Sequence, residues 1–441
     1  MNCFPPGPPE NQSISELRRN PLQSLFHYTS IYGDIVMYKT GDWRVVILND
    51  PLFIRHILQD NFHNYIKTGT PDLMMLKPLL GNGLMTSEGE PWITQRRLVQ
   101  PSFHRERIES FAGIITASTQ QMLENWQNYS KNSTPIDVSS EMSGLTLGII
   151  AKILFSSDIN SNLLEFSRSV NTMNKFISSH DSADSHLFED FKNSMATMHI
   201  LVSEIIAERK RTAVIHDDLL AMLFAAYGEE SSENLPSQQL KDQVFTLLMA
   251  GHETTAQALT WCLYLLHLNP DIASNVYCEV STFEAVKRQV TEVTNCLPYT
   301  WMVIQEAMRL YPPVWSMTRL CKAEDVIGGY IIPKDSIVLI SPYLMHRHPR
   351  LWNDPERFDP LRFHSDQIKS RPEYSYFPFS GGPRQCIGRS LAQAEVLLIL
   401  ASIIKQYSFS LVKGHLVIPE ALVTLRPSGG MPMILHKRSS P

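Results

Sequence analysis

From Ser237 to Leu268 the chain carries apolar residues at helical spacing, among them Leu240, Val244, Leu247, Leu248, Leu259 and Leu263. Ser237 is placed to N-cap this stretch, and Asn269-Pro270 stops it. A helix of about 32 residues is roughly 45–50 Å long, enough to cross a whole molecule, so the rest of the fold must be arranged around one rod. Its middle reads Ala250-Gly251-His252-Glu253-Thr254-Thr255. Glycine and successive threonines are poor choices for a helix centre, and a glutamate there is costly unless it has a polar role. Something other than packing is expected to favour them. The small pair Ala250 and Gly251 lets a flat group lie against the helix, and a threonine hydroxyl can compete for a backbone carbonyl and open the local ladder. A carboxylate beside a hydroxyl can relay protons.

Around this rod the chain reads as mainly helical. Ile35–Leu48 has two β-rich runs separated by Thr40-Gly41-Asp42, a hairpin signal. Helical periodicity then predicts Gly89–Leu98, Arg105–Asn128, Ser139–Leu154, Leu163–Ser178, Phe188–Lys210 and Asp217–Ala226. Beyond Pro312 the pattern changes. Thr318–Pro342 alternates around Gly328-Gly329 and predicts a small sheet, Gly388–Tyr407 a last helix, and a short β-like tail ends near Pro432. No repeat, Gly/Ser linker or G-x-G-x-x-G unit breaks the 441 residues. One domain over 1–441 is expected, with β structure at about 30–60, a helical core at about 85–312 and 386–408, and small sheets at about 318–342 and 408–437.

The second informative stretch is Phe379-Ser380-Gly381-Gly382-Pro383-Arg384-Gln385-Cys386-Ile387-Gly388. Cys386 falls at or just before a helix N-terminus, where unpaired N–H groups and the helix dipole favour an anion and lower a thiol's pKa. Gly382 and Gly388 permit a tight turn and close approach to a flat ligand, and Arg384 offers a planar fork for a carboxylate. A lone cysteine in such a loop is usually a small buried hydrophobe. Five positions fixed in register make chance a matter of about 1 in 10,000 for ordinary residue frequencies.

Those five positions, Phe379, Gly382, Arg384, Cys386 and Gly388, resemble the F-x-x-G-x-R-x-C-x-G signature of the cytochrome P450 superfamily, and Ala250, Gly251, Glu253 and Thr254 match its A-G-x-[DE]-T helix. The resemblance spans nearly the whole chain and implies the helix-rich cytochrome P450 fold of a soluble bacterial type, with a small β region. It implies that Cys386 ligates the iron of haem b (iron protoporphyrin IX) and that Glu253 and Thr254 guide protons during dioxygen activation. Glu306 and Arg309 match the family's E-x-x-R helix and Pro355-Glu356-Arg357-Phe358 its P-E-R-F-like segment, so Glu306, Arg309 and Arg357 are expected to form a buried ionic cluster under the cysteine loop. Trp92 and Arg96, four apart, match a W-x-x-x-R helix and would donate to haem propionates, with Arg319 a further position of that kind. His252, His346 and His348 lack zinc spacing and read as packing or surface residues.

The implied activity is insertion of one atom of O2 into a hydrophobic substrate, by hydroxylation or epoxidation. Leu73, Met74, Met75, Leu76, Leu79, Leu80, Leu84 and Met85 make Tyr65–Trp92 markedly apolar, and this segment and Val170–His199 are expected to line and cover the pocket. The helix motif and the region Arg319–Arg362 look most like the fatty-acid-hydroxylating branch, with terpenes or polyketides close behind. Two other readings stay open: an oxygen-independent haem-thiolate enzyme, such as a peroxygenase or isomerase, and a non-catalytic haem or lipid binder. The intact Glu253-Thr254 pair speaks against the first, and turnover with any reductant would exclude the second.

No reductase domain is recognisable, so electrons are expected from a separate ferredoxin or flavodoxin-type carrier with its reductase, docking near Arg96, Arg97 and the cysteine loop. A net charge of −5 without long basic runs excludes nucleic acid as an expected partner. Six cysteines without a CxxC pair suit a reducing compartment. The opening Met-Asn-Cys-Phe-Pro-Pro-Gly-Pro-Pro has neither an apolar signal core nor a run of about 20 apolar residues, so a cytoplasmic, unanchored monomer is expected.

Overall fold

The structure is a computed structural model and describes residues 3–9, 19–156, 165–166, 168–170, 172–173, 176, 185–211, 218–227, 238–283 and 293–438. The chain is mainly helical and divides into two compact units, one made of 1–78 and 305–386, the other of 79–304 and 387–441.

The first unit is built on a five-stranded sheet. Ile35–Thr40 and Trp43–Leu48 form the expected hairpin, turned at Gly41, whose φ of 58° suits a residue without a Cβ. Trp43–Leu48 then pairs in parallel with Ile337–Ile340, which pairs antiparallel with Met317–Cys321, and Tyr65–Ile66 closes that edge. Val46, Ile47, Leu48, Val338 and Ile340 are fully buried, as the apolar runs of a sheet covered on both faces should be. The stretch expected to make its own small sheet is therefore divided. Its outer strands, Met317–Cys321 and Ile337–Ile340, pair with each other and through Ile337–Ile340 join the N-terminal hairpin, while Asp325–Ile327 and Tyr330–Ile332 pair separately across Gly328-Gly329.

The second unit is organised by the central helix Gln238–Leu268, which stops at Asn269 where Pro270 starts the next helix. Ser237 lies outside the described residues, as does half of Leu163–Ser178. Helices Gly89–Val99, Arg105–Lys131, Ser185–Arg211 and Leu219–Tyr227 fall close to their expected bounds. Helix Val138–Phe155 packs against the central helix, with Asp137 capping its first turn by accepting from Ser139 N at 3.1 Å. It is the one described helix long and apolar enough to cross a membrane, yet it is mostly buried core here. Helix Arg389–Gln406 leads into Tyr407–Leu411, which pairs with Pro432–Lys437, and that strand also takes Ile136–Asp137. A short hairpin, Pro419–Ala421 with Leu425–Pro427, completes the unit.

Candidate functional site

The cysteine loop lies at the end of the first unit. Gly382 has a φ of 63°, and a Cβ there would sit 1.8 Å from the Leu58 carbonyl oxygen, so backbone conformation and space both demand glycine. Gly382–Arg384 makes one 3-10 turn, Gln385 N donates to Gly382 O at 3.1 Å, and Cys386 N donates back to Phe379 O at 3.0 Å. The loop is closed on itself by these bonds, and Cys386 at its end is exposed. Phe379 and Arg384 are half-buried. Gly388 does not share the strain of Gly382. Its φ is −85° and nothing crowds its Cα, so the expected tight turn rests on Gly382 alone.

Beneath the loop, Glu306 and Arg309 are fully buried and joined by two bonds, Nε to Oε2 at 2.6 Å and Nη2 to Oε1 at 2.8 Å. Arg309 also donates to the carbonyls of His346, Pro355 and Arg357, while Asp359 N donates to Glu306 Oε1. Burial pushes the Glu306 carboxyl up, and the Arg309 fork pulls it back toward the charged form. The expected third side chain is corrected here. Arg357 contributes its carbonyl and its side chain is exposed, whereas Arg362 Nε lies 3.3 Å from Glu306 Oε1. Spacing alone could not separate the two arginines, because the irregular chain after Pro355 decides which one turns inward.

The cluster reaches the loop through His346. Its carbonyl takes Arg309, and its ring Nε2 accepts from Phe377 N at 3.0 Å, which requires a neutral imidazole. Burial, helped by Arg309 and Arg347, holds its pKa well below the ordinary value. His346 is thus a buried support of the loop, a role that its expected place among packing or surface residues does not include. Arg319 is also buried, with Nη1 donating to Thr318 O at 2.8 Å.

In the second unit, the central helix is buried for most of its length, but Ala250 is exposed and Met249, Gly251 and Thr254 are partly so. Ala250 and Thr254 are four apart, so they share one open stripe. Thr254 Oγ1 donates to Ala250 O at 3.0 Å and Thr255 Oγ1 to Gly251 O at 3.2 Å. Both hydroxyls do compete for carbonyls, but the helix stays regular, so the expected opening of the ladder is corrected. Gly251 has a packing reason, since a Cβ would come within 3.0 Å of Ile150 on the neighbouring helix. Glu253 is buried on the flank of the stripe, and its Oε1 accepts from Thr424 Oγ1 at 2.8 Å. His252 turns inward, with Nδ1 3.1 Å from Leu248 O, and burial lowers its pKa. His348 faces Asp34 at 2.9 Å in the first unit. Trp92 is buried and Arg96 half-buried on Gly89–Val99, one turn apart, with Arg97 exposed beside them.

Of the apolar segment, Leu73, Leu79, Leu80 and Leu84 are buried while Met74 and Met75 are exposed. Within the second unit a cavity of about 750 Å³ is lined by Glu165, Arg168, Ser169, Thr172, Asp190, Asn193, Ser194 and Thr197. All of these side chains are polar or charged in type, which does not suit a hydrophobic substrate.

These residues fit a haem. Among the described residues no group of three His, Cys, Asp or Glu side chains could hold a metal ion by itself. In the first unit the exposed sulfur of Cys386 would supply one strong ligand to a haem iron, and in the second the small-residue opening of the central helix suits a broad flat group. An exposed cysteine held in such a loop is the ligand type of a haem-thiolate protein. The sequence model of the family described as cytochrome P450 matches residues 5–431, and the chain belongs to that family.

Cyclooctatin synthase of Streptomyces melanosporofaciens is 33% identical over 436 residues, covering 96% of this chain and 92% of its own. Cyclooctat-9-en-7-ol 5-monooxygenase of the same organism is 32% identical, with the same coverage. Pentalenene oxygenase of Streptomyces avermitilis is 27% identical over 93% of this chain and 91% of its own. The crystal structure of the cytochrome P450DA heme domain has the same fold, with a TM-score of 0.87 over 100% of this chain and 99% of its own at 24% identity. The protein is a haem-thiolate monooxygenase that uses haem iron, O2, a hydrophobic substrate and an electron-donating partner.

Proposed function

We propose that this monooxygenase hydroxylates a cyclic terpenoid hydrocarbon or alcohol. The observation that carries the reading is the open stripe at Ala250 and Thr254, a small apolar and hydroxyl-bearing face in an otherwise buried helix. The Streptomyces relatives named for cyclooctat-9-en-7-ol and pentalenene support terpenoids over the fatty acids favoured by the sequence motifs.

In this reading Cys386 binds the iron of haem b, and Trp92, Arg96, Arg319 and Arg384 hold its propionates by N–H donation. The haem, once bound, supplies the reduction of dioxygen and the oxidation of the substrate. Gly382 keeps the loop close to its support, Phe379 anchors the Cys386 N–H, and Gly388 starts the following helix. Thr254 presents its hydroxyl on the open stripe, and Glu253 beside it holds the proton that the hydroxyl passes on. Glu306 and Arg309, with Arg362 in place of Arg357, fix the loop from below. The chain works as one soluble, cytoplasmic, monomeric domain. A ferredoxin or flavodoxin-type carrier, kept reduced by its own reductase, docks over Arg97.

The test is a titration of the purified ferric protein with cyclic terpenoid alcohols and with long-chain fatty acids. The Soret shift that marks loss of the iron's water ligand is expected at lower concentrations of the terpenoids. Tighter binding of fatty acids overturns the substrate assignment.

A further inference from the structure

We propose that Thr424 is a positioning residue for Glu253, which fixes the rotation of its carboxyl. This rests on Glu253 being the acid of the site. Thr424 is 3% exposed and Glu253 8% exposed, so the 2.8 Å bond between them is made away from bulk water. A hydroxyl has one proton to donate. Here it goes to Oε1 and holds the carboxyl in one rotation.

Thr424 lies at the turn of the hairpin Pro419–Ala421 with Leu425–Pro427, where its carbonyl accepts from Leu422 N at 3.1 Å. The next residue, Leu425, accepts at its carbonyl from Trp261 Nε1 at 2.9 Å, so the hairpin is tied to the central helix at two points. Glu253, Gln257 and Trp261 are spaced by four residues and share the helix face on which the hairpin rests. Gln257, between them, is 4% exposed, and its Oε1 has no partner among the described residues. A buried unpaired acceptor is unfavourable in plain apolar core, so this face of the helix is polar where the hairpin rests on it. The flank of the helix thus carries the buried polar side chains of Glu253 and Gln257, with Thr424 donating to Glu253 from the docked hairpin. Nothing in the sequence motif signals this, because Thr424 follows Glu253 by 171 residues.

The test uses the holoenzyme with Thr424→Val, Thr424→Ser, Glu253→Gln and, as a control for hairpin docking, Trp261→Phe. Infrared difference spectra against Glu253→Gln isolate the Glu253 carboxyl band. Thr424→Val should shift that band and raise several-fold the share of reducing equivalents lost as hydrogen peroxide, and Thr424→Ser should restore both. Trp261→Phe should leave the band in place. If Thr424→Val changes neither readout while Glu253→Gln does raise peroxide loss, the positioning role is wrong and the acid reading survives. If Glu253→Gln leaves peroxide loss unaltered, the acid reading itself fails. A band shift in Trp261→Phe equal to that in Thr424→Val also overturns the proposal, since general loosening of the hairpin would then explain both.

Discussion

Gly382 shows how much of a site can rest on one missing carbon. With its φ of 63° and its approach to the Leu58 carbonyl, alanine would meet both backbone strain and a hard clash. Gly382→Ala is expected to cost on the order of 2–4 kcal/mol and to lower haem retention, read by denaturant unfolding and by the haem-to-protein absorbance ratio. An unchanged midpoint would show that the loop can move away from Leu58 without loss. Glycine 388, in the same motif, carries no such constraint. The letter pattern was identical for both, and only the dihedral angles and the neighbours distinguish them.

Between elements, the route from the helix Pro298–Leu310 to the loop runs through Arg309, His346 and Phe377. Each link is a buried hydrogen bond, so the route is stiff. Replacing Arg309 by Met removes five donor contacts and leaves Glu306 as a buried carboxylate with Asp359 N and Arg362 as its contacts and Arg371 nearby among the described residues. The expected loss is about 3–5 kcal/mol, the range for breaking one side of a buried pair. A drop in melting temperature should come with loss of the thiolate-type band of the CO complex, and the double variant Glu306→Met with Arg309→Met should recover part of the stability. Stability recovery with no recovery of the band would place Arg309 in loop geometry as well as in folding.

At the scale of the whole molecule, Glu395 sets a pH dependence. It lies 3% exposed on Arg389–Gln406, Oε1 has no partner among the described residues, and burial pushes its carboxyl up to about 8 from an ordinary 4.5. Between those values the folded chain keeps a proton that the unfolded chain has lost. Its contribution is therefore fully present below pH 4.5, declines as pH rises toward about 8, and is gone above it. The decline is on the order of 5 kcal/mol for a shift of this size. Unfolding free energy measured against pH should fall across this window in the wild type and be flatter in Glu395→Gln. Parallel curves would mean that Glu395 is not protonated in the fold.

Local chemistry is legible in the sequence wherever the information is carried by neighbours in the chain. The long helix, its Pro270 stop, the Gly41 hairpin and the cysteine motif all depend on spacing and on conformational limits of single residues. Partners distant in the chain were not readable. The parallel pairing of Trp43–Leu48 with Ile337–Ile340, the choice of Arg362 over Arg357, the His346 support and the Thr424 contact with Glu253 arise only when the tertiary fold brings remote segments together. A residue's type limits what bonds it can make, and the packing of the folded chain decides which of them it makes.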